Sequence, residues 1–248
     1  MSHKYLVEDK WYKPYAGGPK TPVVRVIPVQ ESLGEMKTSI LPYDDVEKIL
    51  DSARVIGLAK CACKMRNEIL GIRKCKGKYP LESCMPLNQG AVAWIERGLA
   101  REITKEEAKK LCKEFNSIGL VHSIENFGDG THQLLCNCCS CCCNPLSGIT
   151  QWDNPRGVAS ANYFAFIESP ENCTGCETCV EICPFEAISM INDKPHITKE
   201  KCLGCGSCVV NCPLNIIKLN PEQREQVFDS LMEMVSEVIK EKKALETK

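Results

Sequence analysis

The sequence predicts an α+β chain built from two cysteine-rich units. Three observations carry this: a duplicated cysteine motif in the last third, a second dense cysteine run near the middle, and apolar residues recurring at helix-like and strand-like spacings around both. The chain has 248 residues, 19 of them cysteine, and a formal net charge of −1. That length leaves room for one or two domains, and an odd cysteine count of this size argues against a scheme made only of disulfides.

The duplicated motif is Cys173, Cys176, Cys179, Cys183 and Pro184, then Cys202, Cys205, Cys208, Cys212 and Pro213. Both copies read C-x2-C-x2-C-x3-C-P, a spacing that wraps three thiolates around one iron-sulfur cube and sends the fourth elsewhere. The repeat runs past the ligands: Gly175 matches Gly204, Val180 matches Val209 and Ile188 matches Ile217. Zinc sites use paired C-x2-C hooks separated by a spacer, so this order favours cubanes.

Residues 163–219 resemble the bacterial-type two-cluster ferredoxins. The resemblance implies a ferredoxin-like dicluster domain holding two [4Fe-4S] clusters, with each fourth cysteine crossing to the other half. Carried over by position, Cys173, Cys176, Cys179 and Cys212 hold one cluster, and Cys202, Cys205, Cys208 and Cys183 the other.

Residues 1–40 are punctuated by proline and glycine and predict an extended arm with little regular structure. A cysteine-rich metal-binding domain of mixed helical character is expected over 41–145. Within it, a helix from Pro42 places Val46, Ile49, Leu50 and Ala53 on one face, with Asp44, Asp45 and Glu47 in its first turns. An apolar run from Val55 to Ala59 predicts a buried strand, and Leu87–Gly98 a helix. Thr104 and Glu107 form a capping box for a helix carrying Ala108, Leu111, Cys112 and Phe115, stopped at Gly119. Leu120–Ile124 then reads as a strand. Helix, helix, strand also suggests a winged helix, but the helix lacks a basic reading face. A linker over 146–160, the dicluster domain over 161–220 and a last helix over 221–248 complete the division.

Between Cys136 and Cys143 six of eight residues are cysteine. Cys136, Cys139 and Cys142 repeat the three-ligand phrase C-x2-C-x2-C, and a fourth ligand would come from Cys61, Cys63, Cys75 or Cys84. Those four also offer a set of their own. Cys138 and Cys143 are further candidate ligands, and some of Cys138, Cys141 and Cys143 point away or serve a second centre. Inert core thiols are a poor reading of so many cysteines. A further iron-sulfur cluster, a structural zinc and redox-active thiols remain open, the cluster being preferred. This region also resembles an accessory domain that precedes dicluster modules in iron-sulfur proteins of strict anaerobes, through Pro42–Val46, Cys61-x-Cys63, Arg97-Gly98 before Arg101–Thr104, and the cysteine run. That resemblance implies metal binding.

The functional expectation is an electron-transfer protein relaying low-potential electrons to or from a redox partner or a larger oxidoreductase. An enzyme with its metal centre among the amino-terminal cysteines, and a thiol or cluster redox sensor, are the competing readings. No G-x-G-x-x-G is present, and Gly71–Lys78 has the wrong spacing for a P-loop. His3, His122, His132 and His196 are scattered. The balanced charge argues against nucleic acid as a partner. The polar start and the lack of a long apolar run predict a protein without a signal peptide or membrane span, in the reducing cytoplasm.

Overall fold

The computed structural model describes residues 24–38, 45–126, 132–152, 163–220, 236–237, 239–240 and 243–244. A six-stranded antiparallel sheet forms its centre, in the order β1-β5-β6-β3-β2-β4. The strands are β1 (Val24–Val26), β2 (Gly57–Lys60), β3 (Glu82–Pro86), β4 (Ala100–Glu102), β5 (Val121–Asn126) and β6 (His132–Cys138). Cys84 pairs with Cys136, Ser123 with Cys136 on the other side, and Val121 with Cys138.

Successive side chains in a strand alternate between faces, and the alternation divides the molecule into two cores. Val26, Ala59, Cys84, Val121, Cys136 and Cys138 fall in one buried cluster. Leu58, Met85, Ile124 and Leu135 fall in the other, with Val46, Ile49 and Leu50 of α1 (Val46–Ser52) and Ala108, Cys112 and Phe115 of α4 (Lys105–Ser117). Two further helices, α2 (Ala62–Ile69) and α3 (Asn88–Glu96), connect the strands.

Helix ends follow local chemistry. Asp45 caps α1 by accepting from the Lys48 amide, and Thr104 caps α4 by accepting from the Glu107 amide. The Glu107 carboxylate pairs with Arg101 at 2.6 Å. Gly119 takes φ +89° just past α4, a conformation that glycine adopts without Cβ strain.

Two stretches differ from the sequence expectation. Residues 24–38, assigned to an extended arm, supply edge strand β1 and a 3-10 segment, Gln30–Thr38, kinked at Gly34. Residues 144–152, mostly assigned to a linker, form α5 (Asn144–Trp152). Apolar Val26, Ile27, Val29 and Leu33 are fully buried, so this proline-flanked segment earns its order from tertiary packing. The aromatic anchors of the arm and most of the expected last helix lie outside the described residues.

The carboxy-terminal part pairs β7 (Phe164–Ile167) with β10 (Ile217–Asn220) and β8 (Ile188–Ile191) with β9 (Lys194–Ile197). Its helices, α6 (Thr178–Ile182) and α7 (Ser207–Asn211), each follow a left-handed residue, Glu177 at φ +60° and Gly206 at φ +78°. The duplication seen in the motif is therefore a duplication of backbone geometry. Asn192 and Asp193 are both left-handed, as a two-residue hairpin turn requires. Among the described residues no helix is long and apolar enough to cross a membrane.

The two parts share a tight seam. The Val29 amide donates to the Cys205 carbonyl at 2.9 Å, and Asn116 of α4 donates to the Ser207 hydroxyl of α7 at 3.0 Å. A Cβ on Gly206 would lie 2.2 Å from Ser32 Oγ.

Candidate metal centres

In the carboxy-terminal part, Cys202, Cys205 and Cys208 come from the loop and first turn of α7, and Cys183 ends α6. These four thiols line one pocket, walled by Ala165, Phe185, Ile188 and Leu203. Cys202, Cys205 and Cys208 are buried. Backbone amides of Ala165 and Ala187 approach Cys202 Sγ and Cys183 Sγ at 3.4 Å each, and the Gly175 amide approaches Cys173 Sγ at 3.4 Å. Burial raises the Cys179 thiol, and the charges of Cys212 and Cys176 nearby add to it. Burial pushes the Cys205 thiol up to about 12 and raises Cys208 as well. Such thiols ionise when a cation arrives, so loading releases protons. Four soft donors drawn from both halves, with amides aimed at sulfur, fit a polynuclear iron-sulfur group.

Residues 165–213 match the family model of the 4Fe-4S dicluster domain. No curated protein sequence matches the chain. The dicluster match and the cysteine content identify an iron-sulfur electron-transfer module in this part of the protein. Within the dicluster domain, Cys176 is exposed, Cys173, Cys183 and Cys212 are half-buried, and Cys179, Cys202, Cys205 and Cys208 are buried, with Cys205 at the seam.

The amino-terminal cysteines fall into two groups. Six of them act on one another's ionisation in a closed series, a ring in which Cys61 acts with Cys63 and Cys84, Cys84 with Cys136, Cys136 with Cys138, Cys138 with Cys143, and Cys143 with Cys63. The sheet register explains half of it, because Cys84, Cys136 and Cys138 share a face. Cys61 and Cys63 enter from the start of α2, and Cys143 from the turn before α5. Thiol neighbours draw two members down: Cys63 and Cys84 act on Cys61, taking it to about 2, and Cys136 and Cys143 act on Cys138. Cys138 in turn raises Cys136 and Cys143. Lys64 is wholly buried beside the ring and donates to Ser83 Oγ at 2.6 Å and to the Asn137 carbonyl at 3.4 Å, both neutral partners. Its charge acts on Cys61. A buried ammonium is costly unless an anion balances it, and the ring supplies that anion when ionised. Cys61, Cys84, Cys136, Cys138 and Cys143 lie in the same continuous core as Cys179, Cys202, Cys205 and Cys208 of the dicluster domain.

The second group is Cys75, Cys139, Cys141 and Cys142, whose sulfurs all lie within 4.8 Å of one another. Burial alone would raise Cys75, but Arg73 beside it and the neighbouring thiols hold it below its ordinary value. Cys141, one of the three cysteines of the run left to point away or serve a second centre, belongs here. The phrase Cys136, Cys139, Cys142 is split: β6 ends at Cys138 and the chain turns, sending Cys136, Cys138 and Cys143 to the ring and Cys139, Cys141 and Cys142 to the tetrad. Cys61, Cys63, Cys75 and Cys84 do not form a set either, because Cys75 is in the tetrad. The phrase read from the sequence does not survive the fold, because the partners from residues 61–84 depend on strand pairing and on the turn after Cys138. Cys112 joins neither group and packs in the second core.

Proposed function

We propose that this chain is an electron-transfer iron-sulfur protein that relays low-potential electrons between a partner oxidoreductase and a centre in its own amino-terminal domain. The observation that carries the reading is the cavity lined by Cys183, Cys202, Cys205 and Cys208, since one of its thiols belongs to the other half of the duplication. In this reading those four cysteines hold one [4Fe-4S] cluster, Cys173, Cys176, Cys179 and Cys212 hold the second, and the six-thiol ring is the seat of a further iron-sulfur cluster.

When bound, such clusters supply one-electron oxidation and reduction at low potential. The chain's own residues do the rest. The amides of Ala165, Ala187 and Gly175 offset charge on ligand sulfurs, Phe185, Ile188 and Leu203 keep water from the inner site, and Lys64 balances the ring. The exposed Cys176 edge is the docking face for a redox partner, and the buried core shared with the ring is the inward route. A reducing compartment such as the cytoplasm of an anaerobe suits so many free thiols.

The test is iron and acid-labile sulfide per chain after purification without oxygen, with Cys183→Ser and Cys212→Ser alongside. The expected result is about eight irons from the dicluster domain and about twelve with the ring loaded, each variant disturbing a different cluster spectrum. A chain without labile sulfide would sink the reading.

A further inference from the structure

The geometry points to Cys75, Cys139, Cys141 and Cys142 as a mononuclear tetrathiolate site for one tetrahedral divalent cation, zinc or ferrous iron, separate from any cluster. Cys75 Sγ stands 3.9 Å from Cys139 Sγ and 3.6 Å from Cys142 Sγ, and Cys141 Sγ 3.8 Å from Cys142 Sγ. A tetrahedral ion with metal-sulfur bonds of about 2.3 Å spaces its ligands by about 3.8 Å, the bond length times roughly 1.63. Thiolates on a cube each bind their own corner iron and splay outward, so they stand much farther apart. The molecule contains its own comparison. Among the described residues, this tetrad is the one group of three or more thiols packed within 4.8 Å, and no three of the eight dicluster cysteines or of the six ring cysteines meet that condition.

A second observation is independent of the spacing. Four thiolates on one divalent ion leave a net dianion, which asks for a nearby cation. Arg73 lies against Cys75 with its side chain 5% exposed, and its Nε is buried without a hydrogen-bond partner among the described residues. Arg73 is fixed by Glu68 at 3.1 Å and by the Tyr79 carbonyl. Asn67, also fully buried, reaches Cys142 from α2.

The site ties the turn after β6 to the loop carrying Cys75, two segments otherwise 64 residues apart in sequence. That closure is structural chemistry, and it holds whether or not the chain is an electron carrier.

The experiment counts zinc, iron and labile sulfide per chain in the anaerobically purified full chain and in Cys141→Ser. Loss of one metal ion per chain with no loss of sulfide supports the site, and the metal analysis says whether that ion is zinc or iron. Loss of several irons with matching sulfide would overturn it, as would a wild-type chain whose metals are all accounted for by sulfide-containing clusters. If Cys141→Ser fails to fold, the wild-type protein decides by X-ray absorption at the zinc edge and by Mössbauer spectroscopy of iron. Zinc with four sulfur neighbours, or a sulfide-free ferrous tetrathiolate signal, supports the proposal, and neither signal refutes it.

Discussion

Asn116 on α4 donates a 3.0 Å hydrogen bond to Ser207 Oγ, and Ser207 in turn lies 3.5 Å from Cys205 Sγ. Both side chains are buried, at 3% and 1% exposure. A residue of the amino-terminal sheet domain thereby orients a hydroxyl that faces a dicluster cysteine. The amino-terminal helix α4 is part of the surroundings of Cys205.

Replacing Asn116 by Leu should leave the Ser207 hydroxyl short of a partner, at about 1–3 kcal/mol of stability. Urea unfolding of the anaerobic protein measures it. Ser207→Ala should make the potential of the inner cluster alone more negative, because a donor to its ligand sulfur is lost; redox titration followed by EPR would show it.

Gly206 and Gly175 give a matched pair. An alanine at 206 would need φ +78° and would press its Cβ to 2.6 Å from Ser32 Cβ, whereas at 175 the nearest atom is 3.5 Å away. Gly206→Ala should therefore cost about 2 kcal/mol or more and Gly175→Ala less than that. Equal melting temperatures for the two variants would contradict the tight seam.

Cys112 reports on pH. Burial raises its thiol from 9.0 to about 12, so the unfolded chain gives up this proton first. The contribution to stability is fully present below pH 9 and is lost as pH rises toward 12. Cys112→Ala should flatten that alkaline loss in denaturation curves measured from pH 8 upward, at the cost of a small cavity.

Lys64→Met keeps the buried stem and removes the charge. Breaking a buried charge pair costs about 3–5 kcal/mol, so metal bound by the ring should weaken by about 100-fold or more. Iron and sulfide analysis should show the dicluster content unchanged and the ring depleted.

Much of this molecule was legible where the signal is local. The 29-residue spacing from Cys173 to Cys202 announces the duplicated backbone, and Thr104 with Glu107 announces the start of α4. Tertiary facts were not. Nothing near Pro22 or Pro28 indicates that Val26 would pair with Ser123, because edge strands are set by what they pack on. The ring and tetrad were equally hidden. Their membership follows from the pairing of Cys84 with Cys136 and from a turn after Cys138, while the spacing inside the run matched a single-cluster phrase that the fold divides.

That division has a consequence for biosynthesis. Cys61, Cys63, Cys75 and Cys84 leave the ribosome first, and neither amino-terminal site can close with them alone. Both are completed by the single stretch from Cys136 to Cys143, as the two halves of a seam are closed by one thread. A deletion of one residue there would misassign ligands at both sites together. The nascent chain therefore passes from having no complete amino-terminal site to having both within eight residues of synthesis, before the first dicluster cysteine has been made.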